Sequence, residues 1–131
     1  MDLRLIVVDY LQLMTSGKKV ESRQQEVSEF SRQIKLLAKE LEVPVVAMSQ
    51  LNRGPEQRTD KKPMLADLRE SGSIEQDADM VILLHRPDAF ERDDPRGGEA
   101  DLIIAKHRSG PTKTITVAHQ LHLSRFTNMA H

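Results

Sequence analysis

Asp9 follows the apolar run Leu5-Ile-Val-Val8, and an acid at the carboxyl end of a buried strand stands where open α/β sheets receive ligands. A single carboxylate there suits Mg2+ held through water beside nucleotide phosphates, the form of a Walker B aspartate. Apolar residues followed by Asp also end ordinary structural strands, so the pattern has both readings. Gln50 closes a second apolar run, Val45-Val-Ala-Met-Ser-Gln50, where a neutral amide can hydrogen-bond a terminal phosphate or a water, or simply face solvent. Lys106 and Arg108 are two apart, so a strand would project both from one face, just ahead of Gly110-Pro111. Two cations at a hairpin tip suit an anionic group brought by another molecule, as an arginine finger does, although solvated basic tips are common. Arg69-Glu-Ser-Gly-Ser73 puts a cation, Glu70 and Gly72 in a break between helical pieces. Backbone N–H groups and Arg69 there can grip phosphates without reading bases; alternatively Ser73 caps the turn carrying Glu75 and Gln76.

Other chemistries are absent from these residues. No G-x-x-x-x-G-K-[ST] loop is present to cradle phosphates with backbone N–H groups. Cysteine is absent, which removes disulfides, thiolate-bound zinc and thiol nucleophiles. The five His do not form a metal site: His119 and His122 would fall on opposite faces of a strand, and His85 and His107 edge the sheet. There is no G-x-S-x-G elbow, and the acids of Glu91-Arg-Asp-Asp94 lack EF-hand spacing and read as a solvated turn. Three Phe, one Tyr and no Trp make a poor base-stacking platform.

The elements that must position these groups follow from periodicity. Leu3 to Tyr10 is β-branched and apolar, as a buried parallel strand would be. Ser22 with Gln25 forms a capping box, and Val27, Phe30, Ile34, Leu37 and Leu41 then recur at helical spacing until Pro44 stops the helix. With the strand from Val45, that is a βαβ unit. Asn52 to Pro63 contains no apolar residue and reads as a long, mobile surface loop. Ala78 to His85 is a third strand; Ala100 to His107 and Thr112 to Ala118, joined by Arg108-Ser-Gly-Pro111, predict a hairpin; Leu121 to Phe126 predicts a last edge strand. At 131 residues the chain buries roughly two thirds of its unfolded surface. Its formal charge of −1 favours no partner, though a local basic stripe would still suffice for nucleic acid. No apolar run approaches a membrane span and no signal-peptide pattern is present, so the expectation is a soluble, intracellular domain.

Four stretches carry a resemblance in order: Leu5-Ile-Val-Val-Asp-Tyr-Leu-Gln-Leu-Met14, Ser49-Gln-Leu-Asn-Arg53, Asp67-Leu-Arg-Glu-Ser-Gly-Ser-Ile-Glu-Gln-Asp-Ala-Asp79 and Lys106-His-Arg-Ser-Gly-Pro111. Together they closely resemble successive motifs of the DnaB-type replicative helicases, across nearly the whole chain. The resemblance implies a partial RecA-like P-loop NTPase fold, with a mainly parallel central sheet flanked by helices and a C-terminal antiparallel β-hairpin. It implies a ring-shaped homo-hexamer that hydrolyses ATP with Mg2+ at subunit interfaces, translocates on single-stranded DNA, works with a primase and a loader, and resides in the bacterial cytoplasm at replication forks. By motif, Asp9 is similar to the Mg2+-holding acid and Gln50 to the phosphate sensor. Arg69, Glu70 and Gly72 resemble the central-channel DNA loop, and Lys106 and Arg108 the basic pair inserted into the neighbouring subunit's site. The family's Walker A loop, catalytic glutamate, linker helix and N-terminal collar all precede the Walker B strand and are not among these residues. Tyr10 does not replace the glutamate, since a phenol keeps its proton to a pH of about 10. The expectation is thus the C-terminal portion of a motor domain, inactive as an ATPase by itself. The alternatives are a non-catalytic DNA-binding or ring-interaction module, or part of another RecA-like ATPase.

Overall fold

The structure, a computed structural model, describes residues 2–9, 23–71 and 74–130. It divides into two units interleaved along the chain: Met1–Asn52 with Leu68–Ala78, and Arg53–Asp67 with Asp79–His131. Among the described residues no helix is long and apolar enough to cross a membrane.

The first unit holds the expected βαβ arrangement. Strand β1 (Ile6–Val8) pairs in parallel with β2 (Val45–Ala47), and helix α1 (Arg23–Leu41) connects them. The capping box falls on Ser22, outside the described residues. At its other end the helix finishes before Pro44, as expected. Glu42 takes a left-handed conformation (φ 54) and the Val43 N–H reaches back to the Ala38 carbonyl at 3.3 Å, closing the last turn. The Pro44 carbonyl then accepts from Ile6 N at 3.1 Å, so the helix stop and the start of the parallel ladder are consecutive events in the chain. The apolar stripe of α1 is buried in its first half, where Val27 and Phe30 sit in the core, but Leu37 and Leu41 are exposed. A short helix α3 (Ile74–Asp77) is tied to α1 by Ser31 Oγ donating to Asp77 Oδ2 at 2.9 Å.

The second unit is an antiparallel meander. Strands β3 (Met80–His85), β4 (Glu99–His107), β5 (Lys113–Gln120) and β6 (Arg125–Asn128) lie side by side in chain order, so the antiparallel part is larger than a single hairpin. Leu121–Leu123, expected within the last strand, instead forms a 3-10 turn, because Ser124 at φ 51 reverses the chain before β6 begins. Strand β3 alternates strictly, with Val81, Leu83 and His85 buried and Met80, Ile82 and Leu84 exposed.

The loops are more tightly held than their composition predicts. Asn52 to Pro63 contains a short helix, α2 (Gly54–Gln57), and the stretch is pinned by Arg58. Its guanidinium bonds both carboxylate oxygens of buried Asp67 (3.1 and 2.5 Å) and the Lys62 carbonyl (3.1 Å). The charged loop after β3 is likewise anchored: Arg96 binds Asp101 through two nitrogens (3.0 and 2.6 Å) and Glu99 through Nε (2.7 Å), while Thr116 donates to Asp101 at 2.8 Å. Asp94, read as part of a solvated turn, accepts the Arg96 backbone N–H at 2.8 Å.

Candidate functional site

Strands β1 and β2 are neighbours in register Ile6↔Val45 through Val8↔Ala47, and both run the same way, so their carboxyl ends share one edge of the sheet. Asp9 is the first residue past β1, and Met48 N donates to Val8 O at 2.9 Å, carrying the pairing one step further. Gln50 lies two residues on, with its carbonyl accepting from Ser49 Oγ at 3.3 Å. Both side chains are exposed. Parallel pairing therefore sets the chain ends that lead into Asp9 and Gln50, 41 positions apart in sequence, at one edge of the two-stranded sheet.

No cluster of three or more His, Asp or Glu able to hold a metal occurs among the described residues, so Asp9 faces solvent as a single hard oxygen donor. That donor set fits Mg2+, which keeps most of its water and is bound by one or two carboxylates together with substrate phosphates.

Lys106 and Arg108 belong to the second unit, at the end of β4, and their placement depends on an irregularity. Ile82 pairs with Ile104 but Val81 pairs with Lys106, so Ala105 is an extra residue, a β-bulge. In a regular ladder Lys106 would stand opposite Met80, on the exposed apolar face with Ile82 and Leu84. With the bulge, Lys106 stands opposite Val81, on the face that carries Leu83 and Asp101. The next steps are Met80↔His107 and a backbone bond from Arg108 N to Asp79 O at 2.9 Å. That register sets the Arg108 and Asp79 side chains beside each other, and Arg108 Nη1 lies 2.8 Å from Asp79 Oδ1. Both side chains stay more than half exposed, at 55% and 62%. The tip itself is packed: Gly110 N bonds His107 O at 3.3 Å, and a Cβ on Gly110 would stand 2.5 Å from the His107 ring. The His107 Nδ1 also lies 3.3 Å from the Pro111 carbonyl.

Of the expected nucleic-acid residues, Arg69 and Glu70 lie on a 3-10 segment, Leu65–Ser71, and Gly72 lies outside the described residues. Ser73, the alternative cap for α3, is also outside them.

Sequence reasoning assigned no role to several groups that the structure ties together. Asp88 accepts from Gly98 N at 3.1 Å, from Arg86 Nε at 3.2 Å and from His119 Nε2 at 2.9 Å. The Gly98 N–H foremost, then Arg86 and His119, holds its carboxyl below the ordinary range. Arg96 does the same for Asp101, and the Asp101 and Glu99 carboxylates raise the guanidinium in return. Asp67 likewise raises Arg58. His85, buried on β3 and stacked on Phe90 with ring centroids 6.3 Å apart, is pushed down by burial. Composition marked these residues as charged, but only the folded register shows which pairs meet.

The chain matches the family described as DnaB-like helicase C terminal domain over residues 1–128. The chain belongs to the DnaB-like helicase family. It is 90% identical over 129 residues to a replicative DNA helicase DnaB of Mycobacterium intracellulare, covering 98% of this chain and 22% of that protein. It is 54% identical over 128 residues to the replicative DNA helicase DnaB of Geobacillus stearothermophilus, covering 97% of this chain and 28% of that protein. The chain thus spans about a quarter of the length of these helicase relatives. Among solved structures, an ATPase domain superposes with a TM-score of 0.91 at 44% identity, over 96% of this chain and 44% of that one. A DnaB-like replicative helicase described with its interactions with primase gives the same TM-score and identity, with 31% of that chain covered. The fold matches part of a RecA-like ATPase domain of the DnaB-like helicases.

Proposed function

We propose that this chain supplies the C-terminal portion of the motor of a replicative helicase that couples ATP hydrolysis at subunit interfaces to movement on single-stranded DNA and to duplex unwinding. The observation that supports the reading is the aligned carboxyl edge of β1 and β2, beyond which the chain continues into Asp9 and Gln50. Asp9 would hold Mg2+ through water, and the ion when bound offsets negative charge on the β- and γ-phosphates. Gln50 hydrogen-bonds the terminal phosphate and passes its presence to the chain that follows. Lys106 and Arg108, at the end of β4, reach the nucleotide of the neighbouring subunit. There the planar Arg108 guanidinium stabilises charge on the transferring phosphoryl group. Arg69, Glu70 and Gly72 follow the DNA backbone in the central channel. A homo-hexamer, a primase and a loader complete the assembly, in the bacterial cytoplasm.

These 131 residues contain no phosphate-cradling G-x-x-x-x-G-K-[ST] loop, and in the family this chain resembles the water-activating glutamate precedes the Walker B strand, so the chain by itself should not turn over ATP. The test uses the full-length helicase that contains this segment. Asp9→Ala and Arg108→Ala should each lower DNA-stimulated hydrolysis by 100-fold or more, as removal of an arginine finger does on the order of 10³. Arg108→Ala should leave nucleotide binding within a few fold of normal. Near-normal turnover by either variant refutes the assignment, and an ATPase rate from the isolated chain that Asp9→Ala abolishes refutes its inactivity.

A second reading is favoured by the open apolar face of Met80, Ile82 and Leu84. On it, the chain is a non-catalytic piece that joins and poisons intact rings. Titrating it into intact helicase separates the two, because a joining module lowers unwinding in proportion to its amount.

A further inference from the structure

We infer that Asp79 is the positioning residue for the Arg108 guanidinium, an inference that rests on the proposed reading of Arg108 as the cation offered to a neighbouring nucleotide. The bulge at Ala105 sets Asp79 and Arg108 as the cross-strand pair that follows Met80↔His107, joined by Arg108 N to Asp79 O at 2.9 Å. The side chains then meet at 2.8 Å while both remain more than half exposed. An exposed ion pair of this kind contributes little to stability. Its effect is instead directional: a long, rotamer-rich side chain just beyond a strand end is held in one pose.

The chemistry leaves the head able to act while held. A guanidinium has five N–H donors and a carboxylate can engage two of them in a fork, so at least three remain for phosphate oxygens. Two further contacts stiffen the base of the arm, the backbone bond to Asp79 and the His107 ring packed over Gly110. Arg108 is therefore already biased toward its working pose when it meets an anion, and less of the cost of ordering its side chain falls on the reaction step. Because Asp79 touches Arg108 and not the nucleotide, its loss should act on turnover and spare binding.

The experiment compares Asp79→Glu, Asp79→Asn, Asp79→Ala and Arg108→Ala in the full-length helicase, following kcat and KM for ATP with DNA present, and the melting temperature of each variant. The expected order of kcat is wild type, then Glu within twofold, then Asn, then Ala lower by about fivefold. KM should stay within twofold and melting temperatures within about 2 °C. Asp79→Asn and Asp79→Ala with unchanged kcat, beside an inactive Arg108→Ala, overturn the positioning role and leave the Arg108 reading intact. An active Arg108→Ala overturns the Arg108 reading itself, and the inference falls with it. A kcat that rises in Asp79→Ala means that Asp79 restrains Arg108 rather than aims it, and a fall in melting temperature or a raised KM means a structural role; either result overturns the inference.

Discussion

Asp101 is nearly inaccessible, at 3% exposure, yet ionised, because two Arg96 nitrogens and the Thr116 hydroxyl replace the water it lost. Asp101→Ala leaves those donors unpaired and should cost about 2–3 kcal/mol, read from urea unfolding, with Asp101→Asn costing less. The pH dependence follows from the same groups. His85 has a lowered pKa in the folded state, so the unfolded chain takes up its proton first as pH falls below about 6.5, and stability declines there. Asp88 and Asp101 are also lowered. Their contribution is full above about pH 4 and is lost as pH falls through their folded values. Urea midpoints measured from pH 8 to 3 should thus fall in two stages, and His85→Phe should flatten the upper one alone; a single stage in the wild type would contradict this. At this scale strand ends and spacing singled out Asp9, Gln50, Lys106 and Arg108 as candidates. It hid Asp79, because the partner of a cation across an antiparallel pair depends on register, and register here turns on one extra residue.

Helix α1 shows how far an element can be read from periodicity. The spacing of Val27, Phe30, Ile34, Leu37 and Leu41 defined the stripe and Pro44 its end, but spacing cannot tell how much of a stripe is covered. Val27→Ala should therefore cost about 2 kcal/mol and Leu37→Ala less than about 1 kcal/mol, a difference that denaturant titration can resolve. The helix exit offers a gain: Glu42 holds a left-handed backbone that glycine adopts freely, so Glu42→Gly should raise stability by up to about 1 kcal/mol, against the usual direction of glycine substitutions. In the meander, apolar runs located β3 and β4 and alternation located β5, whereas the bulge left no mark in the hydropathy pattern. Deleting Ala105 tests its role. Lys106 would then follow Ile104 directly, still opposite Val81, so both cations keep their face and the full-length helicase should retain hydrolysis within a few fold; a loss like that of Arg108→Ala would show that the extra residue does more than set the register.

For the molecule as a whole, the βαβ start, the antiparallel finish and the family motifs were legible, because local pattern and motif order survive in any sufficiently long stretch of sequence. The looped segments hold more side-chain contacts than composition foretells, since Arg58 and Arg96 bind partners 9 and 5 residues away that composition does not single out. Ile82, Leu84, Ile115 and Phe126 remain exposed, and β6 is a sheet edge. Such surfaces favour self-association, so sedimentation of the chain should show mass rising with concentration, and Ile82→Lys with Leu84→Lys should reduce it. The interleaving of the two units carries an evolutionary consequence. Residues 53–67 of one unit interrupt the other, and residues 68–78 interrupt the first in turn. A single recombination breakpoint anywhere in the chain therefore leaves at least one unit missing a segment, so the strand-end carboxylate and the basic tip must be inherited together rather than shuffled as separate modules.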